Sequence, residues 1–164
     1  MPIITEATGS FNKSTSRGHS NAPNLALLRA HVAEVKTKPP RSKMPPRPYL
    51  LLEANHRQLV ESPPQVAVLP WGATEAHNRH LPYGTDVIEA TKLAERAAEL
   101  AYARGARVAV LPTIPFGNNE QQLDQACTIS FTTATALAVL GDVARSLARQ
   151  HIDRLVVLNA HGGN

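Results

Sequence analysis

The chain has 164 residues and a formal net charge of +4; at 43% hydrophobic and 18% charged it has the make-up of a soluble globular protein. That length holds one domain with a real core and leaves no room for two ordinary ones. No apolar run approaches the roughly 18 residues that cross a bilayer, the first 20 residues lack the apolar stretch of a secretory signal, and the single cysteine, Cys127, excludes an internal disulfide.

These exclusions fit a reducing compartment, and the expected location is the cytoplasm. Residues 1–48 read as a disordered, basic, proline-rich tail. Ser, Thr, Asn and Gly dominate the first 22 residues, and Lys38-Pro39-Pro40 and Met44-Pro45-Pro46-Arg47-Pro48 interrupt any helix. A short amphipathic helix over 24–35 would gather Leu25, Leu27, Leu28 and Val32 on one face. Arg29, Lys36, Lys38, Arg41, Lys43 and Arg47 stand against one acid, Glu34. Aromatic rings that would stack on bases are nearly absent there, so the run reads as a solvated tail. Neither nucleic acid nor membrane is expected as a partner.

From Tyr49 the texture changes. Residues 65–69 form an apolar run of strand length ending at Pro70; residues 107–111 repeat it before Pro112, and 155–159 are the third. Continuous apolar strands predict a sheet covered on both faces, hence parallel strands. Residues 87–104 are rich in helix formers, with Gly105 as the terminating residue. Residues 133–150 place Leu137, Leu140, Ala144 and Leu147 at helical spacing. The prediction is an α/β fold, a layered sheet of mainly parallel strands with flanking helices, in β-α-β-α-β order.

In open α/β sheets, ligands sit beyond the carboxyl ends of the strands. Those ends lead here into 71–86, 113–127 and 160–164. The first loop carries Glu75, His77, His80 and Asp86 within twelve residues, and the third opens on Asn159-Ala160-His161-Gly162-Gly163-Asn164. Carboxylate oxygen and imidazole nitrogen together suit a divalent ion such as zinc, manganese or iron. Duller readings exist for each residue: Asp86 as a cap of the helix starting near Val87, lone histidines as ordinary hydrogen-bonders, Glu75 as a loop acid. Four candidates at one sheet edge favour the metal site.

The string Gly72-x-x-Glu75-x-His77-x-x-His80-Leu81-Pro82-x-Gly84-Thr85-Asp86 resembles the creatininase (creatinine amidohydrolase) family. So do Pro115-Phe116-Gly117, Thr128-Ile129-Ser130 and the closing Asn159-x-His161-Gly162-Gly163-Asn164. The resemblance runs over about 51–164, so 49–164 reads as the N-terminal part of such a domain, truncated after the third strand. It implies a two-metal centre that hydrolyses C–N bonds of cyclic or linear, non-peptide amides. By position, Glu75 and His161 would hold one metal, His77 the other, and Asp86 would bridge them. Zinc is the first choice of ion, with manganese or iron as alternatives. His80 and Glu120 are the candidates for catalytic or substrate-facing groups. The resemblance also implies a small-molecule amide substrate and a homo-oligomer at full length.

The sequence departs from the family's pattern in four places. Asn78-Arg79 stand where Gly-Pro is common, and Arg79 adds a charge near the mouth. Gly163 stands where creatininase has an acid that ligates the second metal. The middle loop lacks the histidine that often follows its acid, leaving Glu120 or Asp124 to line the pocket. Cys127 stands where glycine is common and reads as a packing residue. The competing expectation is a truncated, non-catalytic remnant or interaction module.

Overall fold

The computed structural model describes residues 46–164. The reading of residues 1–45 as tail, including the helix over 24–35, lies outside the described residues.

The described chain runs through helix α1 (His56–Glu61), strand β1 (Val66–Trp71), helix α2 (Thr85–Ala103), strand β2 (Val108–Val110), a 3-10 turn (Glu120–Gln122), helix α3 (Thr133–Ala148) and strand β3 (Arg154–Asn159). The sheet order is β2-β1-β3 and every pairing is parallel. Register aligns Val66 with Val108 on one side and with Arg154 on the other. All three strands therefore deliver their carboxyl ends to the same edge, the edge where the sequence concentrates its acids and histidines.

β1 is the buried centre, with Ala67, Val68, Leu69, Pro70 and Trp71 all inside. It runs one residue past the proline that the sequence reads as its end. Within β1, Val68 turns its polar groups toward β2, since its carbonyl accepts from Leu111 N–H. Pro70, two residues on, faces the same way, but β2 has already ended at Val110. Its missing N–H costs no ladder bond, which is how proline fits a central strand.

Helix α2 packs on this centre through a stripe of small residues, with Ala90, Ala94 and Ala98 fully buried at four-residue intervals. Tyr49, Leu50, Val68, Val108 and Val110 complete that core with Ala94 and Ala98. α2 starts two residues earlier than the pattern suggests and ends at Ala103, with Gly105 at φ +86 where a side chain would be strained.

β3 departs from expectation. Its apolar run predicts burial on both faces, yet Val156 is 51% and Val157 41% exposed. β3 is an edge strand in this sheet, and α3 buries only Leu147 while Leu137 stays open. Hydrophobicity forecasts which residues gain from burial, and the packing partners decide whether they get it. No helix among the described residues is long and apolar enough to cross a membrane.

Candidate metal centre

Glu75, Asp86 and His161 come from three different segments and are all buried, with His77 half-buried beside them. Glu75 lies four residues past β1. Thr74 fixes that segment by accepting from Ile129 N–H at its carbonyl and donating its hydroxyl to Pro115 O, and Glu75 N–H donates to Tyr83 O.

Asp86 is the second residue of α2. The alternative reading of Asp86 as the helix cap does not hold. The helix begins at Thr85, Gly84 occupies the capping position without a side-chain hydrogen bond, and the Asp86 carboxylate turns into the cluster. Its place in the first turn puts a negative charge where the helix dipole favours one. What brings it there is Gly72: a Cβ on that residue would lie 2.6 Å from Val87 N and 2.8 Å from the Asp86 carbonyl carbon. Only glycine lets the exit of β1 touch the start of α2.

His161 lies two residues past β3. Asn159 clamps its backbone, accepting from His161 N–H and donating to His161 O. Asn164 then ties this turn to the neighbouring loops, accepting from Asn118 N–H and donating to Asn159 Oδ1.

The two imidazoles share one logic. His77 Nδ1 faces Glu75 O at 3.3 Å, and His161 Nε2 faces Asn118 O at 3.0 Å. A carbonyl only accepts, so each of these nitrogens carries the N–H. The other nitrogen of each ring faces a carboxylate, where a neutral imidazole presents a lone pair and an imidazolium donates an N–H. His77 Nε2 lies 2.8 Å from Asp86 Oδ1; His161 Nδ1 lies 3.1 Å from Asp86 Oδ2 and 3.3 Å from Glu75 Oε1. For neutral rings this sets acceptor against acceptor, which is repulsive unless a proton or a cation lies between them. Among the described residues no Lys or Arg pairs with Glu75 or Asp86, so the histidines are the only side chains beside these two buried carboxylates that can carry positive charge.

A divalent cation fits this donor set. Two atoms bound to one ion at about 2.0–2.2 Å lie about 2.8–3.6 Å apart at right or tetrahedral angles. The three separations around Asp86 and His161 fall in that range, whereas His77 Nε2 to Glu75 Oε1, at 3.9 Å, falls beyond it. Glu75, His77 and Asp86 offer ligand atoms within 4.8 Å of one another. Asp86 directs one oxygen to each histidine.

His80 and Glu120 are exposed and share no hydrogen bond or ion pair with these four residues. Asp124 is exposed too, and accepts only from its neighbour Gln125. The residue of the middle loop that reaches the cluster is Gln122, whose amide donates to Glu75 Oε2 at 2.9 Å. Sequence reasoning passed over it because a neutral amide carries no ligand signature. Cys127 is exposed at φ +63, so it does no packing, and the left-handed backbone explains why glycine suits the position. Gly163 is hemmed in: a Cβ there would lie 2.2 Å from Asn118 O and 2.6 Å from His161 Nε2. A separate apolar hollow of about 350 Å³, lined by Leu51, Leu59, Val60 and Leu147 among others, includes none of the cluster residues.

An open parallel sheet carrying a buried imidazole–carboxylate cluster beyond its strand ends defines the class: an α/β protein with a site at the carboxyl edge. Residues 53–164 match the creatinine amidohydrolase family, and the chain belongs to that family. It is 34% identical over 116 residues to a mycofactocin precursor peptide peptidase of Mycobacterium tuberculosis, covering 68% of this chain and 45% of that protein. It is 34% identical over 104 residues to a creatinine amidohydrolase of Pseudomonas putida, covering 60% and 38%. A crystal structure of a candidate creatinine amidohydrolase from Bacteroides fragilis superposes with a TM-score of 0.66 at 39% identity, covering 74% of this chain and 48% of that one. Creatininase structures described as Mn and as Zn-Zn type also match, with TM-scores of 0.60 and 0.59. The chain spans less than half the length of these curated relatives. By name they are an amidohydrolase and a peptidase, so an expectation confined to non-peptide amides is narrower than the relatives are.

Proposed function

We propose that the protein is a metal-dependent hydrolase of amide C–N bonds, peptide or non-peptide, with its ions held by Glu75, His77, Asp86 and His161. The observation that carries this is the pair of imidazoles, each with one ring nitrogen against a backbone carbonyl and the other against a different oxygen of Asp86. In this reading Glu75 and His161 serve one ion, His77 the other, and Asp86 both. Zinc is the first choice for these nitrogen and oxygen donors, with manganese or iron as alternatives.

Bound there, a divalent pair supplies Lewis acidity toward the amide carbonyl and lowers the pKa of water to near neutrality. The chain's own residues supply the rest. Asn118 O and Glu75 O hold the rings in the tautomers that leave Nδ1 of His161 and Nε2 of His77 bare. Burial of Glu75 and Asp86 excludes water from their oxygens and strengthens their hold on positive charge.

A second reading, a scaffold without catalysis, draws on Gly163. The space for an acid there is filled by Asn118 O, which leaves the His77 side with fewer protein donors. Hydrolysis separates the two. Incubating the protein with zinc or manganese and a panel of cyclic amides, formamides and short peptides should release amine or carboxylate, and chelator should stop it. Metal bound at the four residues with no turnover on any amide would favour the scaffold.

A further inference from the structure

We infer that Gln122 is a positioning residue that makes Glu75 a one-oxygen ligand, an assignment that rests on the metal reading above. The Gln122 amide nitrogen donates to Glu75 Oε2 at 2.9 Å, while Glu75 Oε1 is the oxygen that approaches His161 Nδ1 at 3.3 Å and His77 Nε2 at 3.9 Å. A carboxylate only accepts, so the nitrogen end of the amide must be the end that faces it. One oxygen is thereby occupied and the other is left for positive charge.

The support behind Gln122 is built for fixity. It closes the 3-10 turn, donating its N–H to Asn119 O. Asn119 is completely buried, and its amide donates to Ile129 O at 2.8 Å and to Thr74 O at 3.4 Å. Ser130 Oγ accepts from Asn119 N–H at 2.9 Å. Thr74 immediately precedes Glu75, so Gln122 and the backbone that carries the carboxylate are both tied to the same buried residue, one to its main-chain carbonyl and the other to its side-chain amide. A ligand held from both ends in this way has its angle to the ion set before the ion arrives. The role needs an N–H donor of the right reach, which Gln122 supplies and the exposed carboxylates of Glu120 and Asp124 cannot.

The test compares the chain with Gln122→Met, close in shape but without a donor, and Gln122→His, which keeps a ring N–H. Zn²⁺ affinity is read by calorimetric titration, and the visible spectrum of the Co²⁺-loaded protein reports coordination. Gln122→Met should weaken Zn²⁺ about 10- to 100-fold, the usual cost of losing a ligand's support. It should also alter the Co²⁺ bands, with Gln122→His restoring both and the metal-free circular dichroism unchanged throughout. Wild-type affinity and spectrum in Gln122→Met would overturn the assignment and leave the metal reading standing. Absence of Zn²⁺ binding by the unsubstituted chain would overturn both.

Discussion

Replacing Gly72 with alanine tests how Asp86 is delivered. The new Cβ would lie 2.6 Å from Val87 N and 2.8 Å from both Val87 Cα and the Asp86 carbonyl carbon, all backbone atoms that no rotamer change can move aside. Ordinary contact begins near 3.4 Å, so the start of α2 has to retreat by roughly 0.8 Å. Overpacking of this kind costs about 1–3 kcal/mol, and for a chain of this size lowers Tm by about 3–10 °C. The retreat carries Asp86 away from His77 and His161, whose separations of 2.8 and 3.1 Å leave little slack. Zn²⁺ affinity should fall by about 10- to 100-fold. The assay is thermal unfolding of the metal-free protein together with calorimetric Zn²⁺ titration. Gly162→Ala is the control, because a Cβ there meets nothing within 4 Å although it adjoins His161. If Gly72→Ala matches Gly162→Ala in both readouts, the close approach does not position Asp86 and the reasoning is wrong.

Three further outcomes follow from the same geometry. Gly163→Glu, which supplies an acid at the position discussed above, should lower Tm and weaken Zn²⁺ binding, because its Cβ collides with Asn118 O and His161 Nε2; calorimetric titration showing tighter binding would contradict the clash. Cys127→Gly should raise Tm by about 2–4 °C in a melting scan, since relieving a left-handed backbone is worth about 1 kcal/mol. His80→Ala and Glu120→Ala should leave Zn²⁺ stoichiometry and affinity unchanged by titration, since both side chains are exposed and unconnected to the cluster.

Much of this arrangement was legible in the sequence, for local reasons. Apolar runs closed by proline mark β1 and β2, a run of helix formers ending before Gly105 marks α2, and helical spacing of apolar residues marks α3, because these signals are written in neighbouring residues. The carboxyl edge of a parallel sheet follows from the element order, and with it the gathering of Glu75, His77, Asp86 and His161. The rest depended on contacts across the fold. Whether Asp86 caps or faces inward is decided by Gly72 against Val87, a contact between segments. In the run from Asn118 to Gln122 nothing local tells which side chain points in, and it is the neutral Gln122, not an acid, that reaches Glu75. The exposure of β3 is set by what packs on an edge strand, which its own apolar residues do not encode.

In the proposed metal centre Asp86 holds positive charge on both of its oxygens. The most direct measurement is the metal content of the zinc-loaded, exhaustively dialysed chain beside Asp86→Asn, read by plasma mass spectrometry, with circular dichroism confirming that both are folded. The unsubstituted chain should hold up to about two zinc ions, lost together in Asp86→Asn because one carboxylate serves both histidines. A folded Asp86→Asn chain that keeps the full complement, or an unsubstituted chain that holds none, would contradict it.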